Sequence, residues 1–366
     1  VTTRVGFLVE QCLAPVPGGT ARYSRELAAA LAQTAPQGFA VEGWTALHAS
    51  TAAAVVAGVD GPHRLPLGRR ALIAAWERGV GPVPHADVVH APTLLAPPRR
   101  GRPLVVTIHD AVPWTHPETL TQRGVTWHRR MGARVAASAD VVVVPTYAVA
   151  AELARHLDVG DRVTVVPEGA DALVVPPDAA ARRTRLGLPD EYLFSLATLE
   201  PRKGLDVLVA ALAEPKAPDL PLVVAGQPGW GGLDLAATAA SCGLAGDRVR
   251  TLGRISDADL AAALAGATAL VAPSRAEGFG LPAAEAMALG VPVVCSDAPA
   301  LVEVTAGAAV TVPVGDAAAL AEALGEVAGD AALRTRLVEA GHVRAATLTW
   351  AAAAGATWDV YRQLIR

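Results

Sequence analysis

The 366-residue chain is short of cysteine, of lysine and of long apolar runs, and each shortage removes a class of protein. Its three cysteines, Cys12, Cys242 and Cys295, are odd in number and far apart. That excludes a disulfide framework and fits a reducing, cytoplasmic setting. No stretch reaches the roughly 18 uninterrupted apolar residues of a membrane span. The opening Val1–Val9 lacks both a long apolar centre and a cleavage-site pattern, so it is expected to be a first strand and not a signal peptide. Nine histidines and three cysteines form no close metal-ligand group. The net charge of −4 argues against nucleic acid as a partner. The glycine fingerprint G-x-G-x-x-G is absent, which disfavours a nicotinamide-dependent dehydrogenase. Alanine-rich helices with many arginines and few lysines have the composition of a high-GC bacterial gene.

What the chain does contain is apolar content of 52% and an alternation of strand and helix from end to end. That rhythm predicts an α/β fold with parallel sheets. Strands are expected at Val5–Val9, Ala40–Trp44, Val88–His90, Leu104–His109, Val141–Val144 and Val163–Val166 in the first half. The second half repeats them at Tyr192–Ala197, Leu222–Ala225, Val249–Leu252, Ala269–Ala272, Val293–Cys295 and Ala309–Val312. Helical periodicity lies between, and a last helix over about Trp350 to Ile365 carries Trp350, Trp358 and Tyr361. The prolines of Val174-Val-Pro-Pro-Asp178 mark the joint. Domains are therefore expected at 1–175 and 176–346, with 347–366 as a separate terminal helix.

Open α/β sheets bind ligands at the carboxyl ends of their strands, and several such ends here carry unusual residues. After the first strand, Gly18-Gly19 precedes a helix and suits a phosphate or sugar cradle; a flexible loop with Thr20 as helix cap is the plainer reading. His109 ends another strand, where it could reach a substrate hydroxyl; a buried histidine beside a turn residue, Asp110, is the alternative. His90 is a weaker candidate of the same kind. Arg202 and Lys203 follow Glu200-Pro201 and open a helix, where cations oppose the dipole unless an anion binds. A diphosphate would suit an arginine fork beside a lysine point charge. Arg254 and Ile255 end a further strand, with room for a base or ribose on backbone. In Glu277-Gly278-Phe279-Gly280-Leu281 the glycines let backbone N–H groups approach a ligand. Glu277 lies before that helix and Glu285 within it; they could hold two polyols or could simply serve the helix. Asp257-Ala-Asp259 has the look of a metal-holding D-x-D but reads as an ordinary acidic helix start after Ser256, so no metal is expected.

Taken together these motifs resemble the retaining GT-B glycosyltransferases of family GT4. The resemblance rests on Glu277-Gly-Phe-Gly-Leu-Pro-x-x-Glu285, Glu200-Pro-Arg-Lys203-Gly, Gly18-Gly19 ahead of Arg22-Tyr, His109-Asp110, and Val165-Val-Pro-x-Gly-x-Asp171. It implies two Rossmann-like domains facing across a cleft, with the last helix crossing back to the N-terminal one. That domain would bind the acceptor and the C-terminal one a nucleotide-sugar donor. By matching position, Arg202 and Lys203 would hold the diphosphate and Gly19 would let backbone reach it. Glu285 would take the ribose, Glu277 the transferred sugar, and His109 would lie near that sugar. The family often has Asn where Glu168 stands and Ser where Thr146 stands.

Gly-Gly-Thr-Ala-Arg-Tyr-Ser-Arg-Glu-Leu, with His116-Pro117 after Thr-Ile-His-Asp, is most similar to mannosyl- and rhamnosyltransferase-type members. The expected reaction is retaining, metal-independent transfer of a hexose, mannose from GDP-mannose, to an acceptor hydroxyl. A UDP- or dTDP-sugar donor is the alternative. A nucleotide-sugar epimerase and a non-catalytic sugar-binding protein are the competing classes. The acceptor and the oligomeric state stay open. Arg69, Arg70, Arg99, Arg100 and Arg102 make two loops basic, which admits peripheral contact with an anionic membrane face.

Overall fold

The computed structural model describes residues 2–15 and 18–365; Val16 and Pro17 of the sequence ahead of Gly18 lie outside the described residues. Two compact units are present. The first comprises the chain up to Thr115, Gln122–Gly169 and the segment from Trp350 onward; the second comprises His116–Thr121 and Ala170–Thr349.

The first unit is built on a parallel seven-stranded sheet. Its strands are β1 (Thr3–Leu8), β2 (Phe39–Leu47), β3 (Asp60–Gly68), β4 (Val88–Ala91), β5 (Leu104–Thr107), β6 (Val141–Val144) and β7 (Val163–Val165). Their order is β3-β2-β1-β4-β5-β6-β7. The central β4 and β5 are buried along their whole length, as expected of strands covered on both faces. Trp76, Leu104, Val106 and Val142 sit in the core of this unit. β3 was not expected from the sequence. It carries Pro62 and Pro66 and lies at the sheet edge, the one place where a strand tolerates missing N–H donors.

The helix Trp350–Leu364 also belongs here. Its Trp358 indole N–H donates to Thr34 Oγ1 at 3.3 Å and its ring meets Phe39 edge-on. Tyr361 Oη lies 2.6 Å from His90 Nδ1, and His90 Nε2 lies 2.9 Å from Thr107 Oγ1. This buried polar chain fastens the helix to β4 and β5. Gly169 completes the joint, because a Cβ there would collide with the Trp350 backbone.

The second unit has a parallel six-stranded sheet in the order β10-β9-β8-β11-β12-β13. The strands are β8 (Leu193–Leu196), β9 (Leu222–Ala225), β10 (Val249–Gly253), β11 (Ala269–Ala272), β12 (Val293–Ser296) and β13 (Val310–Val312). Leu208, Leu222, Val224, Val294 and Leu324 form its core. In each sheet the chain starts in the middle and builds first toward one edge, then toward the other. The direction reverses between β1 and β4 in the first unit and between β8 and β11 in the second. Such a switch point leaves an opening at the carboxyl ends of the two strands, where ligands bind.

Candidate active site

The switch point of the second sheet collects its most interactive charged residues. From the end of β8 the chain runs through Glu200 into the short 3-10 turn Pro201–Lys203, then through Gly204 into the helix Leu205–Ala211. Gly204 has φ 64°. A Cβ there would collide with the Pro273 carbonyl at the end of β11, so only glycine lets the two loops touch. Across from it, Pro273–Gly280 leads into the helix Leu281–Ala288, with Gly280 at φ 91° as its N-cap and Pro282 in the first turn.

Glu277 is the hub. Its Oε1 accepts from Lys203 Nζ and from Ser274 Oγ, both at 2.7 Å. Its Oε2 accepts from Arg202 Nη1 at 3.1 Å. Arg202 is held in turn by Glu200 Oε1 at 2.8 Å and by the Ala276 carbonyl at 2.8 Å. Burial opposes the charge on Glu277, but the Lys203 and Arg202 cations and the hydrogen bonds outweigh it and lower its pKa to about 2. The carboxylate is thus ionised throughout the neutral range. Arg275 braces the loop from behind, with two hydrogen bonds to Asp206 at 2.9 and 2.7 Å.

One expectation needs correcting. Arg202 and Lys203 do not stand unopposed at a helix start, awaiting an external anion; Glu277 and Glu200 already balance them. The two cations are thereby fixed in place. Glu277 takes one of the three N–H donors of Lys203, whose side chain is 14% exposed.

The other expected donor residues are near in sequence but differ in setting. Phe279 and Leu281 are buried. Glu285 lies inside the helix and is 1% exposed. Arg254, exposed, and Ile255, half-buried, follow β10. Asp259 donates its backbone N–H to the Ser256 cap at 3.1 Å, and its carboxylate pairs with Arg182 at 2.9 Å and Arg185 at 2.7 Å. Ser274 and Glu200 were missed as members of the network; Glu200 stands within the Glu200-Pro-Arg-Lys203-Gly motif, and Ser274 lies three residues ahead of Glu277.

In the first unit Gly18 and Gly19 begin the helix Gly18–Gln33 itself. Thr20 is therefore not its cap but its third residue. Gly18 has φ 61°, and among the described residues a Cβ on either glycine would meet nothing within 4 Å. His109 stands two residues past the end of β5 and is half-buried. Its Nε2 lies 2.8 Å from the Pro92 carbonyl and its Nδ1 3.3 Å from Glu168 Oε1. His90, by contrast, is fully buried in β4, and its pKa falls to about 3 through burial first and the neighbouring His109 second. It is a neutral structural residue. Asp110 accepts from the Val112 N–H, and Thr146 caps the helix Tyr147–Ala154, as ordinary turn and cap residues.

Of the basic loop residues, Arg69 binds Glu10, Arg99 binds Asp140 and Arg102 binds the Ala86 carbonyl. Those three guanidinium groups serve the fold. None of the three cysteines is in a disulfide. Among the described residues no helix is long and apolar enough to cross a membrane.

Known proteins carry the same pattern. Residues 17–172 match the family described as Glycosyltransferase Family 4, and residues 178–344 match Glycosyl transferases group 1. A D-inositol 3-phosphate glycosyltransferase of Nocardioides sp. is 34% identical over 313 residues, which is 77% of this chain and 68% of that protein. Two further proteins of that name, of Stackebrandtia nassauensis and Streptomyces scabiei, align over 50% and 55% of their own length. A phosphatidyl-myo-inositol mannosyltransferase of Mycobacterium leprae is 33% identical, covering 71% of this chain and 67% of that one. Among solved structures, Anabaena Alr3699/HepE in complex with UDP-glucose has a TM-score of 0.75 at 20% identity, covering 99% of this chain and all of that one. The GT-B arrangement of two Rossmann-like parallel-sheet domains is thereby shared, and the chain belongs to the family 4 glycosyltransferases.

Proposed function

We propose that this glycosyltransferase moves a hexose from a nucleotide-diphosphate sugar to an acceptor hydroxyl with retention of anomeric configuration and without a metal. The observation that carries the reading is the Glu277 carboxylate bridging Lys203 and Arg202 at the switch point of the second sheet. As the bond from the sugar to the diphosphate breaks, negative charge builds on the leaving phosphate. Two cations already locked in place stabilise that charge without reorganising, which is where electrostatic catalysis gains most. They supply what a divalent cation would supply elsewhere. Glu277 is our assignment for the hydroxyls of the transferred sugar and Glu285 for those of the ribose. Gly18, Gly19 and His109 are the first unit's candidates for contact with phosphate or sugar.

GDP-mannose is the donor we favour. Support comes from the glycine-rich start and the Thr-Ile-His-Asp segment, and from the mannosyltransferase among the relatives. The relatives named for inositol phosphates make a phosphorylated polyol or its lipid a sensible first acceptor to try. The test begins with thermal shift against GDP, UDP, dTDP and ADP and their sugars, since a ligand that binds only the native state raises the melting temperature. The sugar that binds best is then incubated with acceptor in EDTA, and the product anomer is read by NMR. Stabilisation by GDP and GDP-mannose with an α-linked product supports the reading. An inverted product, or activity abolished by EDTA and restored by Mg2+, would overturn the corresponding part of it.

A further inference from the structure

We propose that Glu168 is a positioning residue that holds the His109 ring with both nitrogens protonated, so that His109 serves the reaction as a fixed cation and never as a general base. The inference rests on the reading above only in taking His109 to lie where substrate binds. The geometry starts from the acceptors. The Pro92 carbonyl, just past β4, can only accept a hydrogen bond, so His109 Nε2 at 2.8 Å must carry a proton. Glu168, just past β7, presents Oε1 to the other nitrogen at 3.3 Å. A carboxylate oxygen there can accept from Nδ1, which places the second proton on that nitrogen. His109 and Glu168 are themselves mostly shielded, with side-chain exposures of 15% and 8%.

Every group packed around the ring agrees. Asp110, on the same loop, favours the charge. His90, from β4, is held neutral and adds no competing cation. Tyr23 turns its ring edge-on at 4.6 Å, while its hydroxyl is engaged with Thr107 and stays un-ionised. Burial alone would discharge the imidazole; Glu168, Pro92 and Asp110 outweigh it and leave the pKa raised. The backbone next to Glu168 is itself held, since the adjoining Gly169 packs against the Trp350 backbone with no room for a Cβ. An amide would offer Nδ1 a neutral partner and leave the imidazole free to lose a proton.

The test uses the full chain labelled with 15N-histidine. NMR shifts of the His109 nitrogens, assigned with His109→Gln, report protonation directly and need no substrate. In the unaltered protein both nitrogens should remain protonated above the ordinary histidine midpoint of about 6.5. In Glu168→Gln the second proton should be lost at or below about pH 6.5. The alkaline limb of kcat/KM should move down by the same interval, and Glu168→Asp should restore both. A singly protonated His109 at pH 6 in the unaltered protein would overturn the proposal, as would a limb and shifts that Glu168→Gln leaves in place. Absence of sugar transfer with every donor would instead sink the functional reading and leave the NMR result standing.

Discussion

Lys203 Nζ and Glu277 Oε1 meet at 2.7 Å although 74 residues separate them, because β8 and β11 are neighbours at the point where the second sheet reverses direction. The contact makes the lysine a fixed charge. It is one of only two lysines in the chain, Lys216 being the other.

Lys203→Ala should therefore cost more than one surface charge. With the diphosphate as leaving group, loss of this donor is expected to lower kcat by about 100- to 1,000-fold, the range for removing one preorganised donor. Initial rates at saturating donor measure it. A change under about threefold would remove Lys203 from the transition-state assignment.

Glu277 and Glu285 should separate in their effects. Under the assignment proposed above, in which Glu277 would meet the transferred sugar and not the nucleotide, Glu277→Gln should lower kcat more than nucleotide affinity. Glu285→Gln should weaken binding of the free nucleoside diphosphate, since loss of a charged hydrogen-bond acceptor costs about 1.5–3 kcal/mol. Calorimetric titration with the nucleotide alone, beside steady-state rates, distinguishes the two. Equal effects in both assays would mean that the roles are not divided.

The same carboxylate sets an acid limit on the second unit. A group whose pKa is 4.5 when unperturbed and about 2 when folded contributes stability that is complete above the first value and disappears as pH falls toward the second. Melting temperature should thus drop between those values in the unaltered protein, and less steeply in Glu277→Gln. Parallel slopes would show that the ion pairs add nothing to folding.

The first unit has its own acid sensitivity, from a buried histidine. His90 is neutral in the fold down to about pH 3, whereas an unfolded histidine gains its proton near 6.5. The unfolded state then binds more protons, so stability is lost as pH falls through that interval. Tyr361→Phe removes the 2.6 Å contact to His90 and should cost about 0.5–1.5 kcal/mol at neutral pH. Chemical denaturation followed by tryptophan fluorescence checks it; an unchanged midpoint would mean that the last helix holds by packing alone.

Much of the strand order and most of the charged motifs were legible because both follow from local pattern. Continuous valine runs such as Val141–Val144 and a Pro-Arg-Lys-Gly turn are visible in a few residues. β3 was not, since its prolines signal a turn until the sheet edge that tolerates them is known. The start of the first helix was misplaced because Gly18 and Gly19 look like loop residues. Pairings were the least legible. Nothing local to Glu168 announces His109, 59 residues earlier, and nothing local to Arg202 says that Glu277 neutralises it. Those contacts are products of strand order, and sequence spacing does not contain them.

The return of Trp350–Leu364 to the first unit sets a waiting time on biosynthesis. A ribosome adding about 5–20 residues per second needs roughly 10–40 s to pass from Gly169 to Trp350. Through that interval Thr34, Phe39 and His90 await partners that do not yet exist. We expect a chain stopped before Trp350 to be cut rapidly by protease within the first unit, and a chain extended past Tyr361 to resist. Equal resistance would show that the early-made unit closes without its final helix. Until then the surface that Trp358 and Tyr361 later cover stays open to water.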